Sequence, residues 1–256
     1  MIVENPDSHP LCHYFLSEYL TQRQDQENFP PDEGSAVFDR YESIFQRALD
    51  TLQFSKEKLK SRPEFNFGKA DPGNLESGIA VLRAVEALRS QGFLNITLLK
   101  PPGADISCEK NGRKVCCEVK AITKASVPKK DCFFADQVYE KVLENIGHAR
   151  QQLAVTAKNL QCTVTMFICV SNWFHQAIFL GEQDYQYVVN RLEKDKLEGQ
   201  DNYMESLNGV DVVLFVTKDG DIYSFVKDEL RAWLGNASEA TMNQRLWRVI
   251  DTSFLT

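Results

Sequence analysis

The 256-residue sequence contains no apolar run approaching the roughly 18 residues that a membrane-spanning helix requires. Its N-terminal stretch, MIVENPDSHP, lacks the basic and apolar regions of a secretory signal peptide. We therefore expect an intracellular, cytoplasmic protein with no membrane partner.

The sequence also lacks the common motifs of metal and cofactor sites. It has no phosphate-binding glycine loop, no GxGxxG that opens a helix and no HExxH, and its four histidines show no ligand spacing. The seven cysteines are an odd number, include no CxxC and lie mostly among apolar residues, which predicts reduced, buried thiols. One zinc alternative stays open, through His9, Cys12 and His13.

Charge is distributed unevenly along the chain. The net charge of −7 argues against a general binder of polyanions. Between Lys100 and Lys130, however, eight basic residues stand against three acidic ones, a local excess of five positive charges. Such a patch suits contact with phosphates. Lysine-rich turns are the plainer explanation, so the patch supports a nucleic-acid partner without establishing one.

The stretch from Pro101 to Ile122 is the most informative part of the sequence. Asn111-Gly112 lies between two strand-like runs, and this dipeptide favours a two-residue hairpin turn because both central residues need positive φ. In that register Asp105 faces Glu118. A one-residue slip at the turn would move Asp105 to the other face of the hairpin.

Side-chain alternation places Lys120 on the same face as Glu118 and Asp105, while the other face is apolar. Facing carboxylates repel each other and destabilise the sheet unless a cation lies between them. Two oxygen ligands suit a Mg²⁺-type ion, which keeps several waters. The competing interpretation is an exposed hairpin whose charges form a solvated face.

Asp105 followed by Glu118-Val119-Lys120 resembles the D…(D/E)xK signature of the PD-(D/E)xK, or restriction-endonuclease-like, nuclease superfamily. The resemblance covers residues 74–180. It implies Mg²⁺ or Mn²⁺ held by Asp105, Glu118 and the backbone carbonyl of Val119, with Lys120 positioning the attacking water. The departure is Gly103-Ala104, which precedes Asp105 where the family's name expects proline.

The resemblance implies auxiliary residues as well. The family's first core helix commonly supplies another acidic metal ligand; we favour Glu76 over Glu86. Ala149-x2-Gln152-Leu153 is similar to a helix motif that follows the ExK strand in several nuclease families, so Gln152 is expected near the site. A first-turn helix stabiliser and a surface glutamine are the structural alternatives. The residues expected to bind nucleic acid are Lys114, Lys124, Lys129 and Lys130.

Hydrophobic periodicity predicts an α/β fold with a central mixed sheet flanked by helices. The helix–strand–strand–strand–helix–strand order is that of a restriction-endonuclease-like core, with parallel pairing of the strands joined by the long second helix. We expect an N-terminal extension with one helix over 1–60, a nuclease-like core over 61–180 and a C-terminal α/β elaboration over 181–256. The predicted elements are helices at 34–60, 74–91, 135–158 and 183–196 and strands at 93–99, 162–170, 210–216 and 221–226.

These observations favour a metal-dependent nuclease that hydrolyses phosphodiester bonds, with DNA preferred as substrate. A homodimer is left open, because no interface signature is present. The alternative function is a catalytically inactive nuclease-fold module that binds nucleic acid or a protein partner. A third interpretation is a structural or interaction protein whose hairpin charges are incidental.

Overall fold

The computed structural model describes residues 7–22, 34–67, 72–122, 135–171, 182–199, 207–217 and 220–235. Six strands form one sheet in the order β1-β2-β3-β4-β5-β6, with helices on both faces. The strands are β1 Leu94–Leu98, β2 Ile106–Lys110, β3 Arg113–Ile122, β4 Val164–Ser171, β5 Val212–Val216 and β6 Ile222–Val226. The helices are α1 Pro10–Gln22, α2 Gly34–Leu52, α3 Lys56–Lys60, α4 Pro72–Ser90, α5 Ala135–Leu160, α6 Glu182–Glu198 and α7 Asp228–Leu234.

The sheet is mixed, as the sequence predicts. Strands β1, β2 and β3 pair antiparallel, β3, β4 and β5 pair parallel, and β6 returns antiparallel to β5. Because α5 connects β3 to β4, the chain can return in the same direction, which a short hairpin does not permit. Strand β4 is buried along its whole length, which explains its nearly continuous apolar sequence.

The β2–β3 hairpin has the predicted register. Asn111 and Gly112 have φ of 47° and 74°, so both central turn residues occupy the left-handed region. Ser107 pairs with Cys116, and Glu109 pairs with Lys114. This register sends alternate side chains to opposite faces of the sheet, which is the premise of the predicted site.

Each face of the sheet carries its own hydrophobic core. On one face, α1, α2 and α4 pack over the strands, with Phe45, Leu82 and Val119 among the buried residues. On the other face, α5 and α6 cover the sheet, with Ile146 and Phe167 at the contact. The polar side chains of the candidate site come from the start of β2 and from β3, the two strands that lie between these helical layers.

The N-terminal region differs from the expectation of one helix. The described part of residues 1–60 contains three helices, and the helix predicted over 34–60 is interrupted. Gln53 has φ of 53°, which ends α2, and the Ser55 hydroxyl then accepts a hydrogen bond from the Lys58 N–H at 3.2 Å, which caps α3. The proposed division into three regions stays a prediction. Among the described helices, none combines the length and apolar character needed to cross a bilayer.

Candidate active site

Asp105 is held at the start of β2 by three hydrogen bonds. Its backbone N–H donates to the Cys117 carbonyl at 3.0 Å, and its own carbonyl accepts from the Leu99 N–H at 2.8 Å. Its side-chain Oδ2 accepts from the Val119 N–H at 2.8 Å. These contacts join β1, β2 and β3 and place the Asp105 carboxylate against the predicted ExK segment of β3.

Glu118 lies on β3 and is 1% exposed. Cys116, two residues earlier, belongs to the core on the α5 face, so strand alternation directs Glu118 to the same side. Lys120 Nζ lies 2.6 Å from Glu118 Oε1, and the lysine side chain is 36% exposed. Glu118 Oε2 is buried and has no hydrogen-bond partner. A buried carboxylate with one unpartnered oxygen is costly and marks the place where a ligand would be stabilising.

The two carboxylates impede each other's ionisation. Burial raises the pKa of Glu118 to about 7, the neighbouring Asp105 carboxylate adds to the rise, and Lys120 opposes it. Burial also raises the pKa of Asp105, although the Val119 N–H and the Lys120 ammonium act in the opposite direction. Burial, together with the facing carboxylate, therefore disfavours full ionisation of the pair.

The structure explains why alanine, not proline, precedes Asp105. The Ala104 N–H donates to Thr156 Oγ1 of α5 at 2.8 Å, a bond that proline could not make. A Cβ at Gly103 would lie 2.8 Å from the same Thr156 oxygen, so this close approach requires glycine. Gln152 Nε2 lies 3.4 Å from the Gly103 carbonyl. The predicted glutamine thus contacts the segment leading into Asp105, and its role toward substrate or water stays a prediction.

The acidic candidates of α4 lie in different surroundings from Asp105. Glu76 is 3% exposed and borders a small cavity with Arg83 and Ser171. Glu86 pairs with Arg47 of α2. Glu76 remains a predicted metal ligand, whereas the ion pair accounts for Glu86.

Sequence reasoning missed Glu64. This residue lies in a 3₁₀ turn, Pro63–Phe65, and shares a cavity with Asp105. Its negative charge contributes to the raised pKa of Asp105, after burial as the main cause. No motif marks Glu64, because its position depends on how the turn packs against α4.

The predicted lysines are only partly within the described chain. Lys114 lies on β3 opposite Glu109, near the hairpin turn and away from Lys120. Lys124, Lys129 and Lys130 fall outside the described residues. The zinc alternative finds no support in the described segments, because His9 pairs with Asp39 and the Cys12 thiol donates to the Phe38 carbonyl.

Asp105, Glu118, Val119 and Lys120 meet at one place, and the chemistry of this set fits a hard cation. Within the described residues, no group of three or more His, Cys, Asp or Glu side chains converges on a metal position. Two carboxylates with one unpartnered oxygen suit Mg²⁺ or Mn²⁺, since such ions retain several waters and accept few protein ligands. The same set would serve zinc poorly, because zinc sites favour histidine and cysteine.

Comparisons with known proteins add little to this geometry. No family model and no curated protein matches the sequence. Among solved structures, the CdiA-CT/CdiI toxin and immunity complex from Burkholderia pseudomallei matches with a TM-score of 0.34 and 11% identity, covering 61% of this chain and 89% of that chain. A likeness at this level carries no argument about the function of this chain.

Proposed function

We propose that this chain is a metal-dependent nuclease of the PD-(D/E)xK type that hydrolyses phosphodiester bonds, with DNA as the preferred substrate. The proposed core spans 61–180. One observation carries the proposal: the buried Glu118 carboxylate lies against Asp105, is paired on one oxygen with Lys120 and has no partner on the other.

Asp105 and Glu118 would hold Mg²⁺ or Mn²⁺, with the Val119 carbonyl as a third protein ligand by the family resemblance. A bound divalent cation supplies Lewis-acid stabilisation of charge on phosphorus and lowers the pKa of a coordinated water. It would also oppose the burial and the Asp105 charge that raise the pKa of Glu118, because a positive ion between the carboxylates favours their ionised forms.

Lys120 would orient the attacking water and stabilise negative charge on the reacting phosphate. Its ammonium group is anchored 2.6 Å from Glu118 Oε1, while the side chain remains 36% exposed. The lysine is therefore fixed at its tip and still accessible to a substrate. The hydrogen bond from Val119 N–H to Asp105 Oδ2 keeps the two strands in register during this chemistry.

The test is a cleavage assay on single- and double-stranded DNA and RNA, with Mg²⁺ and Mn²⁺ titrated from a chelated, metal-free start. We expect metal-dependent cleavage that falls by about 10²-fold or more in Lys120→Ala and in Glu118→Gln. Asp211→Asn and Lys227→Ala serve as matched controls, because Asp211 and Lys227 form a second carboxylate–lysine pair at 2.7 Å. Both controls should cut at the rate of the parent protein.

Cleavage of equal rate in the parent and in Glu118→Gln would refute the proposal. Absence of cleavage, together with nucleic-acid binding that does not depend on Glu118, would favour the alternative of an inactive nuclease-fold module. Metal-induced stabilisation alone distinguishes a cation site from incidental charges, since any ligand that binds the native state stabilises it.

A further inference from the structure

A cavity opens beside Asp105, between the Pro63–Phe65 turn, the first turns of α4 and the β1–β2 connection. It is separate from the small cavity that contains Glu76. Its polar lining includes Glu64, Asn74 and Ser77, and its apolar walls include Val81, Leu99 and Pro101. The cavity therefore offers apolar walls and several polar groups next to the candidate catalytic carboxylate.

The acidic lining of this cavity disfavours a phosphate group as the ligand inside it. The ionisable residues in the lining are Glu64 and Asp105, both carboxylic acids. The guanidinium of Arg62, on the adjoining turn, is already hydrogen-bonded to Glu64 and to the carbonyls of Leu98 and Leu99. An anion would meet repulsion here, whereas an uncharged group with N–H donors would meet acceptors.

Glu64 is arranged to accept such a donor. Arg62 contacts its Oε1, which fixes the orientation of the carboxylate, and the Glu64 side chain keeps 31% exposure. An ionised carboxylate only accepts hydrogen bonds, so its complement is the amino edge of adenine, cytosine or guanine. In thymine and uracil the N3–H lies between two carbonyl oxygens, which a carboxylate repels.

We propose that this cavity receives one unpaired nucleobase next to the scissile phosphate, with its amino edge toward Glu64 and its ring against Val81 and Leu99. The inference rests on the proposed nuclease function. In a duplex the Watson–Crick edge of a base is paired and its ring faces are stacked, so a base that enters the cavity must come from single-stranded substrate or leave the stack of a duplex. Ser77 and Asn74 lie on the exposed side of the cavity, where they can bond the remaining polar atoms of the base.

The experiment measures cleavage of single-stranded oligonucleotides in which an abasic position is moved stepwise past the cut. We expect KM to rise about tenfold when one position flanking the cut is abasic, because the apolar contacts of the base with Val81 and Leu99 are then lost. Ser77→Phe, which places a bulky ring at the exposed side of the cavity and obstructs entry, should raise KM on the intact oligonucleotide by a similar factor and remove the sensitivity to the abasic position. Ser90→Phe is the matched control on the same helix, and it should behave as the parent protein does.

A second variant tests the recognition of the amino edge. Glu64→Gln replaces one carboxylate oxygen, an acceptor, with an amide NH2 donor. We therefore expect the preference for adenine, cytosine and guanine over thymine to fall about tenfold at the same position. Glu57→Gln, at an exposed position of helix α3, is the control and should leave the preference unchanged. Thermal unfolding of each variant establishes that it is folded.

The outcomes separate this inference from the function on which it rests. Cleavage with no sensitive abasic position, unchanged in Ser77→Phe, would overturn the base subsite and leave the nuclease intact. If nothing is cut, the proposed function fails, and binding of the same oligonucleotides is measured by fluorescence anisotropy in metal-free buffer. Position-dependent binding that Ser77→Phe removes would then support the subsite, and position-independent binding would overturn it.

Discussion

Two carboxylate–lysine pairs in this molecule have similar nitrogen–oxygen distances, but the pKa values of their carboxylates shift in opposite directions. Glu118 lies 2.6 Å from Lys120, Asp211 lies 2.7 Å from Lys227, and each lysine side chain is 36% exposed. Nevertheless the pKa of Asp211 lies below its ordinary value, whereas burial and the facing Asp105 raise the pKa of Glu118 to about 7. A lysine neighbour therefore does not by itself decide whether a buried carboxylate is stably ionised.

The difference lies first in burial, since the Glu118 side chain is 1% exposed and the Asp211 side chain 23%, and then in the remaining partners of each carboxylate. Burial opposes the ionisation of Asp211, but Lys227 on one oxygen and the N–H and hydroxyl of Thr165 on the other outweigh it and lower the pKa. Glu118 has a single donor, a second carboxylate beside it and one oxygen without a partner. The first arrangement is complete as a structural ion pair, and the second leaves one carboxylate oxygen for the cation that we propose.

The largest effect we expect in this comparison concerns stability against pH in chelated, metal-free buffer. The folded carboxyl of Glu118 binds its proton more tightly than the unfolded one, so stability falls as the pH rises from about 4.5 toward 7. Each pKa unit corresponds to about 1.4 kcal/mol, which gives a loss of roughly 3 kcal/mol across this range. Glu118→Gln should remove this loss, as measured by urea unfolding at pH 5 and pH 8. Parallel pH profiles for parent and variant would contradict the assignment.

Binding of a divalent metal is expected to change the free energy of unfolding by a comparable amount. At a Mn²⁺ concentration one hundred times its dissociation constant, the native state gains about 2.7 kcal/mol. For a chain of this size that corresponds to a rise of roughly 5–10 °C in the unfolding midpoint. Thermal unfolding should show this rise in the parent protein and in Asp211→Asn, but not in Glu118→Gln. An equal rise in all three would locate the metal elsewhere.

The Asp211 pair is expected to respond in the opposite pH window. Its lowered pKa contributes stability that is present at neutral pH and is lost as the pH falls below about 4, toward the pKa of the folded state. Asp211→Asn should therefore cost about 1–2 kcal/mol at pH 7, because the bonds to a charged acceptor become neutral. Urea unfolding at pH 7 and pH 3 measures this cost at both ends of the pH range. A cost that stays constant between these values would show that the ion pair is not its source.

The smallest expected change in the free energy of unfolding comes from removing a neutral hydrogen-bond donor to Asp211. Thr165→Val removes the hydroxyl that donates to Asp211 Oδ2 and contacts the Gly209 carbonyl, each at 2.8–2.9 Å, and keeps the backbone N–H. We expect a loss of about 1 kcal/mol at pH 7, measured by urea unfolding. Mn²⁺ stabilisation should be unchanged in this variant, which separates the two carboxylate–lysine pairs.

Local signals predicted much of the fold, and the reasons are visible in particular residues. Asn111-Gly112 accepts positive φ at both positions, so the hairpin register followed from the turn alone. The apolar run over Val164–Ser171 predicted a buried strand, and α5 is long enough to carry the chain back for parallel pairing. The interruption of the helix at Gln53 was missed, because the apolar periodicity continues through it.

The sequence predicted that three candidate residues share one face of the hairpin, but not how deeply they are buried. Facing positions placed Asp105, Glu118 and Lys120 together, whereas the burial of Glu118 and its unpartnered oxygen depend on how α5 covers β3. The hydrogen bond from Ala104 to Thr156 joins residues 52 positions apart, so no local sequence pattern predicts it. Glu64 comes near Asp105 through the packing of its turn on Gly78, where a Cβ would lie 2.7 Å from the Glu64 carbonyl.

The sequence by itself determined the strands, the hairpin register and the set of residues that share one face, because backbone preferences and side-chain alternation act over a few residues. Only the tertiary structure decided which carboxylate is stably ionised, which acidic residue lies near Asp105 and where a cavity opens. Those properties depend on desolvation and on partners brought together from distant parts of the chain, and neither is encoded at any single position.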